Sequence, residues 1–271
     1  MEIRELWSEQ DEAQLDAFSR AVAIEDLVGA LHAVAGASPE QVHRSSETLA
    51  AAARVARTQV NQGPPPGDGI AAGISSLGLG GGASDLNEPR GASIHEVLAH
   101  RHGHPLALVA IALDIARRAH IDADAVLIPG AFLLRVGGES GVLVDPRGAA
   151  VLSQEQCEAI VELASGGEQV YDPDRVHSVG LVDLAAAMLQ HLAALRGVRD
   201  DLRELYRVLG FACVLRPDDP QLTLQRAALA DRLGAFGLAH GLYREVERRF
   251  FGTAAADQAR SMMGGEVRLL N

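Results

Sequence analysis

Residues 93–145 read SIHEVLAHRHGHPLALVAIALDIARRAHIDADAVLIPGAFLLRVGGESGVLVD, and the fold turns on this stretch. Ser93 with Glu96 three residues on has the form of a capping box, so a short helix is expected from Ser93 to His102. Gly103 breaks it, His104 stands at the next capping position, and Pro105 opens a second helix. From Leu106 to Ala119 that helix is apolar nearly all round, with Asp114 and Arg117 its first charges, which places it in the centre of a domain. Short β-type runs follow at Ala125–Ile128, Phe132–Val136 and Val142–Val144. They are separated by Pro129-Gly130 and by the glycine-rich turn 137–141. In the second run Phe132, Leu134 and Val136 alternate with Leu133 and Arg135, the pattern of an antiparallel strand with one covered face.

Working outward, the apolar spacing of Leu15, Phe18, Val22, Leu27 and Leu31 predicts one helix from Ser8 to about Val34. Ser38-Pro39-Glu40-Gln41 is a complete start signal for another, running to about Val60. Residues 63–84, GPPPGDGIAAGISSLGLGGGAS, read as a loop, because Pro removes donors and Gly loses much entropy on ordering. Gly78-Leu79-Gly80-Gly81-Gly82-Ala83 matches a dinucleotide fingerprint in letters only; neither the strand before it nor the helix after it is present. Ser153 with Gln156 boxes a further helix. From about Leu181 to the end the chain is helical, with breaks at Gly197, Pro217 and Gly234. Gly237 and Gly241 suggest close helix packing within the last part.

The totals exclude several functions. A net charge of −12, with all 24 basic residues arginine, argues against nucleic acid as a partner. Arg117-Arg118 and Arg244 with Arg248 and Arg249 are short basic groups among acids, as on solvated helix faces. Two cysteines without a CxxC fit a reducing compartment. The first 16 residues are acidic with no apolar signal core, and no apolar run reaches the ~20 residues a membrane span needs. A cytoplasmic protein with no membrane role is expected.

Several blocks together are similar to the bacterial SirB family of transglutaminase-like proteins, which usually carry tetratricopeptide-like helices at the C-terminus. They are HEVLAHRHGHPLALVAIALDIARRAH, VLIPGAFLLR, VLVDPRG and LSQEQC, with Ala23-Ile24-Glu25-Asp26 upstream. The segment from Leu215 to Glu247 looks like one such helical repeat, whose period is ~34 residues. The resemblance implies a nucleophilic Cys at the start of the buried helix, a His in a Pro-Gly-His-Phe turn, and an Asp at a strand end. In that arrangement the helix dipole and the imidazolium lower the thiol pKa. Here the three positions hold Pro105, Ala131 and Asp145.

The expected fold is α+β and predominantly helical. A helical region at 1–62 packs on the core, and a Gly/Pro-rich loop spans 63–92. A transglutaminase-like core with a small antiparallel sheet occupies 93–176, and tetratricopeptide-like helices fill 177–271. The leading function is a non-catalytic protein-interaction or scaffold module, its partner another protein at the C-terminal helices. The rival is an enzyme or small-molecule binder that reuses the old cleft. Its catalytic candidates are His102, His104 and Asp145, and the cleft would be lined by Arg101, Pro105, Ala131, Arg135 and Arg147. His95 and His102, seven apart, share a helix face. No ligand spacing accompanies them, so neither a metal nor a cofactor is expected. Asp145 has a structural reading as well, capping its turn through Arg147. Cys157 and Cys213 read as small buried hydrophobes.

Overall fold

The computed structural model describes residues 6–80 and 87–266. Among these residues there are twelve α-helices and one antiparallel sheet. They are α1 (Glu9–Ala23), α2 (Leu27–Ala35), α3 (Pro39–Asn61), α4 (Pro66–Ser76), α5 (Ile94–His100), α6 (Pro105–Ala119), α7 (Gln154–Ser165), α8 (Leu181–Val198), α9 (Leu202–Leu215), α10 (Pro220–Arg232), α11 (Phe236–Arg249) and α12 (Ala254–Glu266). The strands β1 (Ala123–Ile128), β2 (Ala131–Val136), β3 (Val142–Asp145) and β4 (Ala150–Leu152) lie in sequence order. The α+β, mainly helical class is therefore observed. By contacts the chain forms two compact units, Ala21–Ala185 and Met1–Arg20 with Ala186–Asn271.

In the first unit α6 is the spine. Its side chains from Leu106 to Ile111 are all buried, as are Ala112, Ile115 and Ala116. The sheet carries two covered faces, which corrects the one-face expectation. Leu133 and Leu134 are neighbours on opposite faces, and both are fully buried. Val126, Ile128, Ala131, Leu133 and Leu143 form a cluster with Cys157 and Val161 of α7. The other face meets α4, whose Gly67 backbone approaches Val142, Val144 and Val151. Strand β4 escaped the sequence reading because three residues are too few to show a period.

The largest correction concerns residues 63–84. Pro66–Ser76 is a helix rather than a loop, and it is inserted between α3, α6 and the sheet. The glycines that argued against a helix are what allow it there. A Cβ on Gly69 would sit 2.5 Å from Val60 Cγ2, and one on Gly73 3.0 Å from the Ala52 carbonyl oxygen and 3.1 Å from Ile115. Burial of Ile70 and Ile74 against these neighbours offsets the backbone entropy of ordering glycine. Gly81–Ala83 of the fingerprint lie outside the described residues.

Three smaller expectations also change. The helix expected from Ser8 to Val34 is two helices, broken where Glu25 takes φ 55° and Asp26 caps α2 by accepting from Gly29 N at 3.0 Å. The box at Ser93 does not form; its hydroxyl instead meets His95 Nδ1 at 3.0 Å. Gly237 and Gly241 are not packing glycines, since a Cβ on either would meet nothing within 4 Å. The boxes at Ser38 and Ser153 form as expected.

The second unit has its own core. Leu6 packs with Tyr206, Leu209, Leu224 and Tyr243, and Phe18 meets Phe211 edge-on with ring centroids 5.1 Å apart. Arg226 lies 4.4 Å from the ring centroids of both Trp7 and Tyr206. Helix α8, at 18 residues, is long and apolar enough by composition to cross a membrane, and it is the one such helix among the described residues. Its Leu184, Met188, Leu189 and Leu192 are buried within the protein.

Candidate functional site

The N-terminal end of α6 is where the sequence places an active site. His104 caps the helix: its Nδ1 accepts from Leu106 N at 3.1 Å, so in the neutral ring the proton sits on Nε2. The residue is buried, and its own amide donates to the Gly91 carbonyl at 2.9 Å. Pro105 occupies the first helical position and offers no side-chain donor, acceptor or nucleophile. Arg101 turns the chain with φ 63°, and its side chain runs beside Gly78. His102 is exposed and bridged to Gly80, its ring 6.2 Å from that of His100.

Asp145 stands at the end of β3 with its carboxylate committed locally. Arg147 donates its backbone N–H at 2.9 Å and its guanidinium at 3.0 Å to each oxygen, an arrangement that closes the turn. Ala131 is buried in the cluster under α7. Arg135 extends from the same sheet face toward the edge of β1. It donates to the Val176 carbonyl at 3.1 Å and to Ser178 Oγ at 2.6 Å, while its Nε is buried without a partner. Ser178 in turn donates to Asp124 at 3.1 Å. Ala131, Arg135 and Asp145 thus share the α7 face of the sheet. Pro105 begins the helix that packs beside α4 on the other. No triad geometry is assembled from the positions the resemblance indicated.

The thiols lie elsewhere. Cys157 is buried under the sheet, where loss of solvent raises its pKa and a hydrogen bond from Tyr171 only partly opposes this. Burial likewise raises the pKa of Cys213. Neither is the low-pKa thiolate that acyl transfer requires. Among the described residues no three His, Cys, Asp or Glu side chains come together as metal ligands.

Two constellations were not anticipated. His32 of α2 is buried with both ring nitrogens unpartnered, and it stacks on His95 with centroids 6.1 Å apart. Burial first, and then the neighbouring His95, holds its pKa down at about 4. The second is a cleft of about 380 Å³ at the C-terminal end of α6, within the first unit. Its walls come from the break before α2, from α6, from β1 and from residues 179–184. Asp114, almost fully buried, binds Arg117 and Arg118 there, and Arg117 lies 3.6 Å from Asp26. The sequence signal was a carboxylate in an apolar helix with arginines three and four residues on.

The comparisons with known proteins agree with this architecture. A UPF0162 protein of Xylella fastidiosa is 36% identical over 97 residues, 35% of this chain and 34% of that protein. One from Pseudomonas aeruginosa is 29% identical over 168 residues, 59% of this chain and 54% of that protein. The chain therefore spans from a third to about half the length of these relatives. No solved structure matches. The family model described as "Transglutaminase-like superfamily" matches residues 44–190, which run from within α3 through the whole sheet into α8. With more than half of its length matched around the buried helix and sheet, this chain belongs to the transglutaminase-like superfamily.

Proposed function

We propose that the chain is a SirB-type member of the superfamily without thiol catalysis, acting as a protein-interaction or scaffold module through its C-terminal helices. The observation that carries this reading is Pro105 at the first position of α6, where the superfamily's nucleophile belongs. Ala131 at the imidazole position and the Asp145–Arg147 pair support it. A groove of about 350 Å³ between α8, α9 and α10 offers a place for a partner, floored by Leu189, Ala193, Ala212 and Leu222 and rimmed by Gln190 and Gln225. Glutamine amides both donate and accept, as the backbone of a bound peptide requires. The helices from α9 to α12 are read as tetratricopeptide-like, and the two free cysteines favour the cytoplasm as the setting.

The test uses Ala212→Glu in the groove and Asp145→Asn in the old cleft. A protein that copurifies from the native host should bind the purified wild type, bind Asp145→Asn equally, and lose about tenfold or more in affinity to Ala212→Glu. Binding untouched by Ala212→Glu would remove the groove from the reading. Turnover of an amide or ester substrate that disappears in folded Asp145→Asn would replace it by the rival, acid–base chemistry with His102 or His104.

A further inference from the structure

We propose that the cleft at the C-terminal end of α6 binds a small zwitterion, an α-amino acid or short peptide with an aliphatic side chain. Arg117 receives its carboxylate, and Glu25 receives its ammonium group. The site is separate from the groove of the C-terminal helices and does not depend on the function proposed for it.

Arg117 is the group that selects the carboxylate. Its Nη2 is held by Asp114 and lies 3.6 Å from Asp26, which fixes the plane of the guanidinium. Its Nε and Nη1 have no acceptor among the described residues, and half of the side chain remains open to the cleft and solvent. A guanidinium held on one edge and open on another presents a ready fork for a planar carboxylate. Asp114 is shared with Arg118, so Arg117 keeps part of its charge for a ligand.

The rest of the lining decides between a plain anion and a zwitterion. Glu25, Asp26 and Asp114 border the cleft, with Arg117 as the one cation in its lining. A simple anion would face that negative field, and a simple cation would face Arg117. A molecule carrying both charges meets both demands. Glu25 has no cationic partner among the described residues. The Asp124 carboxylate stands on the sheet face of its cross-strand partner Arg135, where it accepts from Ser178 through Oδ2, and is turned away from the cleft. Val28, Leu113, Val179 and Leu184 supply an apolar wall, and the cleft's volume lies in the range that small-molecule sites use, roughly 300–1,000 Å³.

Titration calorimetry of the full chain with L-leucine and leucyl-leucine, against leucinamide and N-acetyl-leucine, tests the proposal. One of the two zwitterions should bind, and both blocked forms should bind at least about tenfold more weakly. Arg117→Lys keeps a charge for Asp114 but loses the fork, and Glu25→Gln removes an exposed carboxylate. Each should weaken zwitterion binding about tenfold while the circular dichroism and thermal midpoint stay near wild type. No heat from either zwitterion up to about 10 mM, or a blocked form binding as well as its parent, overturns the proposal. So does binding that survives both substitutions unchanged.

Discussion

His32 sits in the contact of α2 with α5 and α6, with Asp26, His95 and Asp114 as the ionisable groups that act on it. Its folded pKa, about 4, is below the ordinary histidine value of 6.5, so the unfolded chain holds more protons between those values. Stability contributed by the neutral ring is complete above pH 6.5 and is lost as the pH falls toward 4. The size is roughly 3 kcal/mol if the whole difference is realised. In His32→Leu this part of the pH dependence should vanish. Denaturation midpoints at pH 7 and pH 4.5 should lie closer together than in the wild type, and an unchanged gap would refute the assignment. Ionic asymmetry also belongs at this scale. Removing Asp114 leaves Arg117 and Arg118 partly in water, whereas removing both arginines leaves a buried carboxylate alone. The double variant Arg117→Ala/Arg118→Ala should therefore cost more in urea denaturation than Asp114→Asn, about 3–5 kcal/mol against about 1–3 kcal/mol. The sequence made Asp114 conspicuous. It could not single out His32, because nothing in the letters around it says which side of α2 would be covered.

At the scale of elements, glycine has opposite meanings in α4 and α11. An exposed helix gains about 1 kcal/mol when Gly becomes Ala, and Gly241 has open space around its missing Cβ. Gly241→Ala should raise stability by about that amount. Gly67 faces Val142 at 2.5 Å from a would-be Cβ, so Gly67→Val forces the helix off the sheet and should cost about 1–3 kcal/mol by urea titration. Equal signs for the two substitutions would contradict the placement of α4. This contrast explains what the letters allowed. Capping residues at Ser38, Ser153 and His104 act within one turn and were readable directly. The glycines of α4 act through partners on α3, α6 and β3, far away in sequence, so local propensity pointed to a loop. The strands were legible from their turns, while their two-sided burial depended on helices that no window of β1 to β3 contains.

For the molecule as a whole, two segments distant in sequence share one unit: the described residues up to Arg20 group with those from Ala186 onward, and the segment between them forms its own unit. The family blocks made the middle unit readable, and they drew attention to the start of α6 as the site. The cleft at the other end of that helix is assembled from residues 25 to 184, and no motif joins them. Each unit carries one cysteine, Cys157 in the first and Cys213 in the second, which allows a test of both the architecture and the absence of thiol chemistry. Burial raises both thiol pKa values, so both should react with a disulfide reagent at pH 7 only through opening of the surrounding structure. Labelling of native protein should run at least about a hundredfold slower than in denaturant, since opening is a rare state. Cys157, 2% exposed, should lag behind Cys213, which is only partly covered. A burst of one thiol per chain in the native protein would expose a reactive thiolate after all. Mapping that burst to Cys157 would place a nucleophile on α7, beneath the face that holds Ala131 and Asp145, and reopen acyl transfer by a different residue.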